Sequence, residues 1–367
     1  MNNGEKTVLV LQGGGALGAY QAGAYEILAA GGYEPDWVAG ISIGAINAAL
    51  ICGNPPSQRR ARLTTFWETI TSELRAPLWP GGDAARRAYT EVAALAVATT
   101  GVPGFFRPRP LPAFWPMLDH PAASLYDTAP LVETLAALVD FDYLNDKGPR
   151  LSVGAVDVET GNFTYFDSAT TRIGPEHILA SGALPPGFPA IEIDGRHYWD
   201  GGLVSNTPLQ YVMESAEDEP LCVFQIDLFS ARGPLPPDLG AVAQRQKDIQ
   251  YSSRTRLTTD RYKTLHALRA AALRLRARLP KELRDDPDLA ALCAIGGGSA
   301  RTLVHLIHRK ERFETQSKDY EFSRLSMHEH WTAGAKDAQT TLHHPDWTAR
   351  QTGLDGLQVF DLAGHAP

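Results

Sequence analysis

Two glycine-rich turns lie within the first fifty residues, and each joins a strand-like run to a helix-like one. The run "TVLVLQ" (7–12) is short, apolar and β-branched, and it breaks into Gly13-Gly14-Gly15. Residues 18–30 follow with helical character, their small residues Ala19, Ala22, Gly23 and Ala24 allowing close packing on a sheet. "WVAGIS" (37–42) reads as a second buried strand and "IGAINAALICG" (43–53) as a second helix, stopped by Gly53 and Pro55. A β-α-β-α succession this tight belongs to an α/β sheet with helices on its faces.

The second turn carries a chemical signal. Gly40-Ile41-Ser42-Ile43-Gly44 fits GxSxG between a strand and a helix, the context in which a sharp turn lifts a serine hydroxyl above a sheet edge. The amides of the following helix favour negative charge developing there. A tight structural turn is the plain alternative.

Serine is a weak nucleophile without a base. "RHYWDGGLVSNTPL" (196–209) places Asp200 after a short aromatic strand, with Gly201 and Gly202 permitting a turn that presents the carboxylate. Asp-Gly-Gly alone is a common turn, and the pairing with Ser42 is what makes it a candidate base. Gly13, Gly14 and Gly15 can direct backbone amides at one point, as the oxyanion of acyl transfer needs.

Together these pieces resemble the patatin-like phospholipase family. The matching segments are "GGGALGAYQAG", "GISIG" and "DGG", in that order, with "HILASGALPPGF" (177–188) shortly before the last. The resemblance implies a three-layer α/β/α sandwich with a mostly parallel central sheet. It implies that Ser42 is the nucleophile and Asp200 the base of a Ser-Asp dyad without a catalytic histidine. Gly13, Gly14 and Gly15 would form the oxyanion hole, and Gly18, Gly40, Gly44, Gly201 and Gly202 are motif glycines. The implied activity is hydrolysis of acyl esters, usually lipids, with no cofactor and no metal. Two positions depart from the family pattern. Gln12 stands where many members carry an acid, and Leu17 where many carry arginine or lysine, which weakens any inference of a phosphate head group. "KDYEFSRLSMHEHW" (318–331) looks like part of an extension found in a bacterial subset. The expected organisation is a catalytic domain over 1–215 and a C-terminal extension over 216–367 packed on it.

The rest of the chain is read more coarsely. Residues 57–101 look helical, 102–121 form a loop with six prolines, and "LSVGAVDVET" with "FTYFDS" makes a hairpin turning at Gly161–Asn162. "LCVFQIDLF" (221–229) is a further buried strand. The aromatic, proline-rich stretch within 92–116 is either a lid over an acyl pocket or a packed loop. From 254 to 284 ten lysines and arginines stand against two acids, with Leu265, Leu268, Ala272, Leu275 and Leu279 at helical spacing. This is a basic amphipathic helix, either packed and solvated or in contact with an anionic lipid surface.

Composition sets the outer bounds. A net charge of −8 argues against nucleic acid as partner. Cys52, Cys222 and Cys293 have no metal-ligand or disulfide spacing. No apolar run is long enough to span a bilayer and no secretory leader is evident, so the expectation is a cytoplasmic protein, peripheral at most on a membrane or lipid granule.

Three rivals compete with the dyad. A Ser-Asp-His hydrolase could use His305, His308, His328 or His330. A dinucleotide site could use Gly13, Gly15 and Gly18 with Asp36, although Asp36 precedes the second strand rather than ending it. A non-catalytic lipid-binding protein is the third. Within the hydrolase reading, a polyhydroxyalkanoate or short-chain carboxylesterase is the alternative to a lipid acyl hydrolase. His177 and Ser181 read as helix and turn residues, and "IGGGSAR" (295–301) as a loop.

Overall fold

The computed structural model describes residues 4–71, 81–109, 124–216, 219–295, 300–309, 314–351 and 356–363. The opening succession is as the glycines imply: β1 (Lys6–Leu11), α1 (Ala19–Ala30), β2 (Trp37–Gly40) and α2 (Ile43–Cys52). The long helical region divides into α3 (Pro56–Ile70) and α4 (Asp83–Thr100), followed by a small ribbon of β3 (Arg107–Pro108) and β4 (Tyr126–Asp127). The proposed lid stretch from 110 onward lies outside the described residues, and its part over 92–109 is described. Helices α5 (Ala129–Leu138) and α6 (Phe141–Asp146) lead into the hairpin β5 (Arg150–Asp157) and β6 (Phe163–Asp167). Then come α7 (Pro175–Ser181), β7 (Ile191–Ile193), β8 (Arg196–Asp200) and α8 (Leu209–Ser215). The C-terminal stretch adds β9 (Leu221–Asp227), α9 (Leu239–Arg278), α10 (Pro287–Ala294), β10 (Arg301–Ile307), α11 (Arg324–His343), α12 (Pro345–Thr348) and β11 (Leu357–Phe360).

One sheet in the order β11-β10-β9-β1-β2-β5-β8-β7, with β6 paired to β5, runs through the molecule. From β11 to β5 the strands are parallel, and β6, β7 and β8 are the antiparallel additions. Side chains alternate across it. Leu9 and Leu11 of β1 join Phe224 and Ile226 of β9 and the α1, α2 and α11 side chains in the larger core. Val8 and Val10 face the other way, with Val223, Leu209 and Val212. A sheet buried on both faces needs near-continuous apolar strands, which is why "TVLVL" and "LCVFQI" contain no alternation. The result is the mostly parallel α/β architecture with helices on both faces.

The stretch expected as an extension supplies β9, β10 and β11 to this sheet, and β9 pairs with β1 along its whole length. It also lays α11 across α1 at very close range. A Cβ on Gly23 would come within 1.9 Å of the Trp331 carbonyl, and one on Gly334 within 1.9 Å of the Tyr20 carbonyl. Helix α9 is longer than its basic portion, and the face it buries is polar: Gln244, Asp248, Ser252, Thr259, Tyr262 and His266. Its leucine stripe turns outward, with Leu268 and Leu275 exposed. Helix periodicity located the stripe but could not say which face the rest of the molecule would cover.

Candidate active site

The site is assembled where the parallel strands end. Ser42 sits between the last residue of β2 and the first of α2, with φ 55° and ψ −125°, a left-handed conformation that costs a non-glycine residue of order 1–3 kcal/mol. The surroundings force it. A Cβ on Gly40 would lie 2.4 Å from the Gly44 carbonyl oxygen, and one on Gly44 would lie 2.4 Å from the Leu11 carbonyl. The turn therefore closes only with glycine at both places. The Ser42 amide donates to the Ser181 carbonyl at 3.2 Å and to the Ser181 Oγ at 3.1 Å. Ser181 Oγ in turn donates to the Gly154 carbonyl at 2.7 Å. Ser181, at the end of α7, thus ties the elbow to β5. His177 lies on the same helix but takes no part, accepting instead from its own cap at Gly174.

Asp200 ends β8, an antiparallel neighbour of β5, and is 2% exposed. Ser42 lines the same cavity, its hydroxyl close enough to lower the Asp200 carboxyl, and the Gly202 amide donates to Oδ1 at 2.7 Å. Burial pushes the carboxyl up, these two neighbours oppose this, and the balance leaves it at about 6. No cation relieves it: among the described residues the cavity at Ser42 is lined by Gly13, Gly14, Leu184, Asp200, Gly202, Asn206, Phe229, Tyr251 and Asp319. This cavity holds about 30 Å³, room for roughly one water.

The glycine loop divides into two parts. The Gly13 amide donates to the Asn206 carbonyl at 3.2 Å and the Asn206 side chain donates back to the Gly13 carbonyl at 2.9 Å. Gly13 is therefore not an available oxyanion donor, which corrects the expectation that all three glycines would serve. The amides of Gly14 and Gly15 have no partner among the described residues. Gly15 is left-handed at φ 55°, and a Cβ there would meet the Asp319 carbonyl oxygen at 2.0 Å. That same oxygen accepts from the Ala16 amide at 2.8 Å. The remaining motif glycines support the packing: Gly18 lies against Ile43 and Gly201 against the Gly154 carbonyl.

Gln12, the departure from the family pattern, is fully buried and used at both ends. Its Oε1 accepts from the amides of Leu228 and Phe229 at 2.6 and 2.9 Å. Its Nε2 donates to Thr207 Oγ1 at 2.8 Å and to the Tyr251 carbonyl at 3.2 Å. An acid could accept the first pair but could not donate the second. Gln12, Asn206, Ser181, Tyr251 and Asp319 were not singled out in the sequence as site residues. Asn206 lies inside the Asp200 segment, Ser181 inside "HILASGALPPGF", Asp319 inside "KDYEFSRLSMHEHW" and Gln12 beside the first glycines, so motifs marked their neighbourhoods but not their contacts.

The rivals lose their geometry. None of the histidines lines the Ser42 cavity among the described residues, and His308 and His330 are instead bonded to Glu314. Asp36 accepts from the Thr7 amide at 2.8 Å, at the opposite end of β1 from the glycine loop.

Two family models match the chain. The model of the patatin-like phospholipase family matches residues 9–213, and a second, described as patatin phospholipase, matches 249–353. The chain belongs to the patatin-like phospholipase family, and that membership supports lipid hydrolysis as its activity. Among solved structures, VipD from Legionella pneumophila is 14% identical, over 89% of this chain and 67% of that one, with a TM-score of 0.37. ExoU of Pseudomonas aeruginosa, solved with SpcU, is 16% identical over 70% of this chain and 51% of that one, with a TM-score of 0.27. Comparison with curated proteins finds no match. No described helix is long and apolar enough to cross a membrane.

Proposed function

We propose that this chain is a serine acyl-ester hydrolase acting on lipids through a Ser42–Asp200 dyad and an acyl-enzyme. The observation that carries this reading is that Ser42, held on a left-handed elbow, lines one small cavity with a buried carboxylate raised to about 6. Such a carboxylate is ionised at neutral pH yet basic enough to take a proton in the transition state. Asp200 takes the Ser42 proton as the serine attacks the ester carbonyl. The oxyanion rests on the Gly14 and Gly15 amides, and the alcohol leaves with the proton from Asp200. Asp200 then activates the water that releases the acid. The described cavity admits the reacting carbonyl but not an acyl chain, so Leu184, Phe229 and Tyr251 are the walls that substrate must part.

Residues 1–215 and 216–367 act as one catalytic unit in this reading, since Gln12 and Asp319 fasten the oxyanion loop to the second part. The outward face of α9, with Leu257, Leu268 and Leu275 exposed among its arginines, suits peripheral contact with an anionic lipid surface in the cytoplasm. The test is turnover of p-nitrophenyl esters from two to sixteen carbons by wild type, Ser42→Ala and Asp200→Asn. Two folded, inactive variants support the dyad. Full activity in Ser42→Ala would overturn it.

A further inference from the structure

Away from Ser42 the molecule holds a second buried carboxylate. Glu314 is 5% exposed, and its partners among the described residues are two imidazoles. His308, just after β10, places Nε2 at 2.8 Å from Glu314 Oε1. His330, on α11, places Nε2 at 3.1 Å from the same oxygen. All three are buried, with their potential donor atoms within 4.8 Å of one another. Among the described residues Glu314 Oε2 has no hydrogen-bond partner, and neither has Nδ1 of either histidine. Spacing alone hides this cluster, because its members come from a strand end, a connection and a helix.

The geometry suits a cation: three buried donor groups face one another, and two imidazoles crowd one carboxylate oxygen. No lysine or arginine pairs with it among the described residues. Two further acids, Glu321 and Asp337, lie close enough to act on His330 and His308. A buried charge is costly unless it is paired or bound to a metal, and these converging donors suit a bound metal. Two imidazoles and one carboxylate are a donor set for zinc and its first-row neighbours, not for magnesium or calcium.

We propose that His308, Glu314 and His330 bind one divalent first-row transition ion, Zn²⁺ foremost, in a structural role. Each imidazole offers its Nε2 lone pair and carries its proton on Nδ1, while Glu314 offers its carboxylate. Tetrahedral zinc with bonds of about 2.0 Å separates its ligand atoms by about 3.3 Å, so the two imidazole-to-carboxylate spacings of 2.8 and 3.1 Å need to open by only a few tenths. The ion has a mechanical consequence. Glu314 begins the segment that carries Asp319, whose carbonyl backs the Gly15–Ala16 turn and which lines the Ser42 cavity. Fastening Glu314 to β10 and α11 fixes that segment against the oxyanion loop. The proposal stands whether or not Ser42 is the nucleophile.

The test is calorimetric titration of the full chain, stripped with chelator, using Zn²⁺, Mn²⁺ and Mg²⁺ separately. The expected result is about one Zn²⁺ per chain, weaker Mn²⁺ and no Mg²⁺, with zinc raising Tm. Glu314→Gln keeps the acceptor oxygen but not the charge, and should weaken zinc binding by at least about 100-fold, more than loss of a supporting contact would. His308→Gln should do the same. His328→Gln, on the exposed side of α11, should bind as wild type does. Absence of saturable zinc binding to wild type overturns the proposal, leaving a proton shared between imidazole and carboxylate as the balancing charge. Equal binding by wild type and Glu314→Gln also overturns it, because the zinc is then held on the surface.

Discussion

Asp200 and Glu314 are both carboxylates in the interior, and their surroundings push them in opposite directions. Asp200 has a neutral hydroxyl and one amide as its partners, and desolvation wins. Glu314 has two imidazoles converging on one oxygen, and attraction wins. The same functional group is left readier to take up a proton in one place and is held as an anion in the other. What distinguishes them is not depth but whether the nearest groups can carry positive charge. A base must be able to accept a proton, so a cation beside Asp200 would defeat its use.

The contrast can be broken most strongly at the reacting pair. Ser42→Ala and Asp200→Asn should each lower kcat by about 10⁴-fold or more on any ester the wild type accepts, while circular dichroism stays unchanged. Next comes a pair of opposite signs in stability. The folded Asp200 carboxyl titrates at about 6, above its ordinary 3.8, so stability is lost as the pH rises between these two values and stays lost above them. Asp200→Asn should therefore be more stable at pH 8, by about 1–3 kcal/mol, and the gain should vanish at pH 4 and below. Glu314 is depressed, so its carboxylate stabilises the fold above its ordinary range and loses that effect in acid. Glu314→Gln should be less stable at pH 8 in EDTA, by about 1–3 kcal/mol, with the deficit shrinking as pH falls. Urea denaturation at both pH values reads both signs, and matching signs would show that charge environment is not what separates the two sites.

A smaller effect sharpens the same point. The kcat/KM of the wild type should fall about tenfold for each pH unit below 6 and level off above it, and a flat profile down to pH 4 would remove Asp200 as the base. The smallest effect is at the surface. Asp142 and Asp146 pair with Arg172 in open solvent, and Arg172→Ala should leave the thermal midpoint where it was.

The parts of the molecule legible in sequence are those made by neighbours along the chain. β1, β2 and the elbow at Ser42 could be read because a strand, a glycine and a helix follow one another within ten residues. Asp200 could be read because its turn glycines adjoin it. The contacts that complete the site join residues far apart, and no periodicity marks them. Ser181 reaches Ser42 across 139 positions and Asn206 reaches Gly13 across 193. The glycine loop invited the assignment of all its amides to the oxyanion, and only the fold reveals that Asn206 already holds one. Likewise α9 could be recognised as a helix, but its buried face is polar, so hydrophobic spacing pointed to the side that stays outside.

The place of β9 beside β1 bears on how the chain is made. When the first two hundred residues have left the ribosome, β1 has β2 on one side and an open row of amides and carbonyls on the other. Its partner on that side ends at Asp227, and Asp319, which buttresses the oxyanion loop, is translated later still. The nascent polypeptide thus possesses its serine early but lacks the scaffold that would make it reactive. By this arrangement the proposed site is incomplete until the chain has been made as far as Asp319.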